Sequence, residues 1–120
     1  MRKDDSPLCV QSKAFALRII RLYRYLVQEK GEIVLARQIL KSGTSIGANV
    51  REAVQAQSRA DFISKIGIAM KEASETEYWL ELLMESSLIT KRQGMSVLSD
   101  VQPLLKMMTS TLKTSKSHRH

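Results

Sequence analysis

Lys41 to Lys65 reads KSGTSIGANVREAVQAQSRADFISK, and the fold turns on it. Gly43 and Gly47 lie four apart among Ser42, Thr44, Ser45 and Ala48. Each glycine in a helix interior costs about 1 kcal/mol relative to alanine. Residues this small mark a close approach of another backbone. The apolar phase runs through them, because Ile39 and Ile46 are seven apart, as are Ile46 and Ala53. This spacing predicts one kinked helix over Ile33–Ala56, against the alternative of a break at Ser42–Thr44 with Thr44 or Ser45 capping a second piece. Ser58, with Asp61 three later, starts the next helix in capping-box fashion. It runs to about Ser86 with Phe62, Ile66, Ala69, Met70, Ala73, Leu80, Leu83 and Met84 inside. In a hairpin turning at Gln57–Ser58, residue i faces residue 115 − i, which sets Gly47 opposite Ile68 and beside Gly67. Gly43, Gly47 and Gly67 are therefore the expected points of close helix packing.

The flanking segments follow the same period. Phe15, Ile19, Leu22 and Leu26, with Ala16, Ile20, Tyr23 and Val27 beside them, give a wide apolar face over Ser12–Lys30, and Gly31 ends it. Val97, Leu98, Val101, Leu104, Leu105, Met108 and Leu112 predict a last helix over Met95–Leu112 with Pro103 inside it. Ile89–Gly94 reads as a polar connection. The expected fold is all-α, an antiparallel up-down-up-down four-helix bundle over residues 12–113. Residues 1–11 are expected to be a disordered lead, with Ser6-Pro7 as a start signal, and 114–120 a disordered basic tail.

The chain has 120 residues, 43% of them hydrophobic, and a formal net charge of +7. That is one domain with a real core. The charge is uneven: +5 over residues 10–57, −3 over 58–89 and +5 over 90–120. A basic chain with one acidic segment attracts acidic partners or pairs its own segments. No apolar run is long enough to span a membrane. The start, MRKDDSPLCV, lacks the apolar core of a signal peptide, and the single Cys9 cannot form an internal disulfide. Both point to the cytoplasm.

No catalytic constellation is present. There is no H-E-x-x-H, no cysteine cluster, no paired E-x-x-H and no P-loop. The two histidines, His118 and His120, lie in the tail, without the Arg five residues earlier that some RNA-cleaving bundles use. No catalytic residue, metal ligand, cofactor or small-molecule substrate is assigned. Glu72, Glu75, Glu77, Glu81 and Glu85 form an acidic set on the third helix. Glu77 lies near the inner stripe and needs a partner if buried. Arg18, Arg21 and Arg24 recur at spacings of three, with Arg37, Lys41 and Arg51 following. They are the candidate phosphate-binding residues, although a solvated outer face is the commoner meaning of such spacing. Tyr78-Trp79 are adjacent aromatics about 100° apart on a helix, so both cannot enter one core. They are the candidate oligomer interface.

Three motifs carry a resemblance. Lys41–Ala53 matches RSGTSIGANIxEA, Gln55–Lys65 matches QAxSxADFIxK, and Lys71–Leu83 matches KEAxETxYWLxLL. The chain resembles the four-helix-bundle proteins linked to intervening sequences in bacterial 23S rRNA genes, over roughly Phe15–Leu88. Departures are mild: Lys41 for Arg, Val50 for Ile, Ser74 for Asn. The resemblance implies a left-handed up-down bundle in the cytosol, assembled as a homo-oligomeric ring of five subunits. In shape and charge the family is similar to accessory bundle proteins of diversity-generating retroelements, which bind nucleic acid. The expected function is non-enzymatic binding of RNA or another nucleic acid, with a protein-interaction scaffold as the alternative.

Overall fold

A computed structural model describes residues 5–117, and among these there is no strand. Four helices follow one another: α1 Pro7–Lys30, α2 Val34–Val54, α3 Arg59–Glu85 and α4 Lys91–Ser117. Each packs on its chain neighbours, α4 returns to α1, and the diagonal pairs do not meet. The rod measures 50 × 23 × 21 Å. Residues 1–4 of the expected lead and 118–120 of the expected tail lie outside the described residues.

The caps explain the boundaries. Ser6 accepts from the Cys9 N–H at 3.3 Å, and Pro7 fills the first helical position. The start signal at Ser6-Pro7 is thus used, and α1 begins five residues before the expected Ser12. Residues 7–11 belong to the bundle, with Cys9 buried in the core. Gly31 takes φ 66° and ends α1 as expected. Ser58 accepts from the Asp61 N–H at 3.0 Å and starts α3. The expected polar connection before α4 is shorter than read. Gln93 N–H donates to Thr90 Oγ1 at 3.0 Å, and Thr90 N–H donates to Gln93 Oε1 at 2.8 Å. This reciprocal capping box sets the helix going at Lys91. α4 also runs on to Ser117, through Pro103 and through the first residues expected to form the tail.

α2 is one unbroken helix. Thr44 and Ser45 do not cap a second piece; their hydroxyls donate back to Leu40 O at 2.7 Å and Lys41 O at 2.6 Å. Ile39, Ile46, Val50 and Ala53 are buried, as are Ile19, Leu26, Ile66, Leu80, Leu83, Leu104 and Met108 from the other helices.

The glycines serve a different pair of helices from the one expected. A Cβ at Gly43 would lie 2.7 Å from Ile19 Cγ1, and one at Gly47 would lie 3.3 Å from Ser12 O. Both therefore admit α1. A Cβ at Gly67 would meet nothing within 4 Å, so Gly67 is not a packing point. The α2–α3 contact is made next door, where Ser42 Oγ and Thr76 Oγ1 lie 2.9 Å apart in the core. Thr76 Oγ1 is also 2.8 Å from Glu72 O. Each hydroxyl has one proton, so both bonds form together when Ser42 donates to Thr76 and Thr76 to the carbonyl. That pair sums to 118 rather than 115, which shifts Gly47 away from Gly67. Gly94, read as loop, is buried in α4, and a Cβ there would run into the Met84 sulfur of α3.

The two glycines predict opposite outcomes. Gly43→Ala should lower stability in urea unfolding by about 1–3 kcal/mol, because Ile19 cannot retreat from a packed core. Gly67→Ala should leave it unchanged or raise it by up to about 1 kcal/mol, through helix propensity alone.

Candidate nucleic-acid interface

The three arginines of α1 do not make one row. A step of three residues falls about 60° short of a full helical turn, so Arg18 and Arg24 point about 120° apart. Arg18 turns to α4. Its Nη1 donates to Asp100 Oδ2 at 2.6 Å and to Ser96 O at 3.1 Å, and its Nη2 to Ser96 Oγ at 2.6 Å. It is a strap across the α1–α4 seam, with its charge already neutralised. Arg24 stands exposed in solvent, and Arg37 of α2 is exposed too. The Gly43–Ile19 and Gly47–Ser12 contacts sum to 62 and 59, which sets Arg24 and Arg37 at one level of the rod. Arg51 lines a shallow groove of about 200 Å³ with Lys13, Thr44 and Gly47, near the start of α1. Lys41 is exposed on α2 and acts electrostatically on Glu72.

Arg21 borders an open cleft of about 450 Å³ between α1 and α4. The cleft also takes in Arg18 and Tyr25 from α1 and Arg92, Gln93 and Ser96 from α4, over Leu22, Ile89 and Val97. Arg21 and Arg92 make no hydrogen bond or ion pair with the described residues. The Lys30 ammonium sits 5.9 Å from the Tyr25 ring centroid, a cation over an aromatic face. Arg92 and Gln93 were missed because α4 was expected to begin later. The Thr90-x-x-Gln93 box was the signal that could have placed them on a helix.

The acidic helix carries two strained carboxylates. Glu72 Oε2 is buried without a hydrogen-bond partner. Burial first, and then Glu75, push its pKa up, while Lys41 pulls it down. Glu77 is half-buried, with no hydrogen-bond partner among the described residues; burial and then Glu81 raise its pKa. Tyr78 is 52% exposed and Trp79 half-buried. Their rings meet edge-on at 5.2 Å, and Trp79 Nε1 donates to Glu75 Oε1 at 3.3 Å. Tyr78 therefore faces outward and Trp79 is held against its own helix. No three-residue group of metal-ligating side chains forms among the described residues, and His118 and His120 lie outside them. No described helix is long and apolar enough to cross a membrane.

The sequence profile of the 23S rRNA-intervening sequence protein family matches residues 5–110. The chain belongs to that family. This member of the family is a bundle whose α1–α4 seam is strapped by Arg18 and opens into a basic cleft. A solved structure from Bacteroides thetaiotaomicron VPI-5482 is 55% identical and superposes with a TM-score of 0.87. The match covers 88% of this chain and 98% of that one, which is described as a protein of unknown function from the S23 ribosomal protein family. No curated protein matches the chain at a significant level.

Two outcomes follow from the strap and the buried acid. Arg18→Ala should lower stability by about 1 kcal/mol or less, since both partners are partly solvated, and should speed amide exchange in α4 next to the seam. Glu72 holds its proton longer folded than unfolded. Its contribution is fully present below the unfolded pKa and is lost as pH rises through the raised folded value. Glu72→Gln should therefore melt higher than the parent at neutral pH, with the gap closing in acid, as followed by circular dichroism.

Proposed function

We propose that this member of the family is a non-enzymatic, cytoplasmic, homo-oligomeric bundle that binds structured RNA through its backbone phosphates. The observation that carries the reading is the positive charge that the bundle leaves unneutralised. Arg24, Arg37 and Arg51 are exposed and make no ion pair with the described residues. They sit on a chain of net charge +7. Phosphates neutralise such side chains and release their counterions, which drives binding without base contacts. Lys41 belongs to the same set, moderated by Glu72. Arg18 does not, because Asp100 and Ser96 hold it. A ring of subunits, five by the family likeness, would repeat a weak site and strengthen it by avidity. The exposed Tyr78 ring suits the subunit contact, since Tyr is a favoured interface anchor. The cytoplasm suits a buried, unpaired Cys9.

A protein-interaction scaffold is the second reading, favoured by Tyr78 and by the acidic outer face of α3. Salt separates the two. In a titration of the purified, sized chain with duplex RNA, affinity should fall steeply as salt rises. The logarithmic slope should shrink by about 2 in Arg24→Ala/Arg37→Ala, near one unit for each lost contact. A defined oligomer that binds no RNA at low salt would overturn the reading and send the search to protein partners.

A further inference from the structure

We infer that the α1–α4 cleft is a pocket for one nucleotide unit, with its phosphate on Arg21 and Arg92 and its base on the apolar floor beside Tyr25. The inference rests on the nucleic-acid reading above and deepens it, because it adds an unstacked base to a surface otherwise read as phosphate-binding only. Four observations meet here. First, three arginines line one cleft with no carboxylate among its lining residues, and besides the engaged Arg18 they are Arg21 of α1 and Arg92 of α4. The nearby acid, Asp100, is already engaged by Arg18 at 2.6 Å. Like charges drawn together without a counter-ion are stabilised by an anion, and guanidinium matches phosphate in shape.

Second, Arg92 stands in the first turn of α4, a helix of 27 residues. The positive end of its dipole adds to the field of the side chains. Third, the floor is apolar: Ile89 is 3% exposed and Val97 6%. With Leu22 and the Tyr25 ring it offers a surface that a free inorganic phosphate would leave wet and that a flat base would cover. Fourth, the cleft is about 450 Å³, within the range of roughly 300–1,000 Å³ of small-ligand sites. Gln93 and Ser96 on the rim supply donors and acceptors for a base edge or ribose.

A nucleotide unit can reach the cleft free or as one residue of a single strand. A paired duplex base cannot, because it is stacked within the helix. The test uses the full chain, with AMP, a short single-stranded RNA and the duplex of the same sequence as probes, at one low salt concentration. Single-stranded RNA should lose about tenfold in affinity in Tyr25→Leu, which keeps an apolar side chain but removes the ring. Arg92→Gln should weaken the single strand by a similar factor and the duplex far less. Competition by AMP would mark the same pocket as open to the free nucleotide. Equal losses for single strand and duplex in Arg92→Gln, or no loss in Tyr25→Leu, would overturn the pocket while leaving the duplex surface standing. AMP bound and then lost in Arg92→Gln, with no RNA bound, would keep the pocket and overturn the RNA reading. No binding of any probe would overturn both.

Discussion

Ile19 of α1 packs directly onto the backbone of α2 at Gly43, where no Cβ stands in the way. Much of the bundle follows from that contact. It draws α1 down onto one side of α2, and Gly47 against Ser12 continues the approach. The other side of α2 is tied to α3 by the buried Ser42–Thr76 pair. α3 in turn admits α4 at Gly94, under Met84. Three seams are thus closed by small residues or by a buried hydrogen bond. The fourth, between α4 and α1, has no glycine of its own, and its polar link is the partly solvated Arg18 strap. The open cleft lies along the one seam that side chains of full size hold apart.

This arrangement decides what each arginine can do. Arg18 sits where the seam is narrow enough to reach Asp100 and Ser96, so its charge is used inside the molecule. Arg21, one step along and about 60° round, borders the cleft together with Gln93. Arg24, a further step round, leaves the seam altogether. Three residues at one spacing thus differ in what they meet: Arg18 is engaged at the seam, Arg21 borders the cleft unpaired among the described residues, and Arg24 stands outside it.

The number and order of the helices were legible in the sequence, because each carries an uninterrupted 3.6-residue apolar period that burial then satisfies. The phase of α2 through Gly43 and Gly47 also held, since Ile39, Ile46 and Ala53 all reach the core. What escaped was which neighbour each small residue meets. Ser42 and Gly43 are adjacent, about 100° apart, so one serves α3 and the other α1. That choice depends on how the helices are placed around α2, and no local pattern records it. The start of α4 escaped for a different reason. Its first turn is polar on every side, so periodicity is silent there and only the Thr90–Gln93 cap speaks. The candidate site suffered accordingly: Arg92 and Gln93 of the cleft lie on the turn that periodicity misses, and equal spacing alone does not separate Arg18, Arg21 and Arg24.

The uneven charge has a consequence within this geometry. The acidic segment lies on α3 and the arginine run on α1, and these are diagonal helices that do not meet. The arginine run of α1 is thus kept from the acids of α3, while the cations of α2 and α4 flank those acids and Lys41 acts on Glu72. One ion pair between α3 and α2, Lys65 to Glu52 at 3.0 Å, spends a cation of α3 rather than one of its acids. Glu72 and Glu77, with raised pKa values, show that the acids of α3 are not fully compensated either. A single chain therefore presents a basic side and an acidic side at once. Solvent ions balance each side in the isolated chain, and on the reading proposed above phosphates would displace them on the basic side.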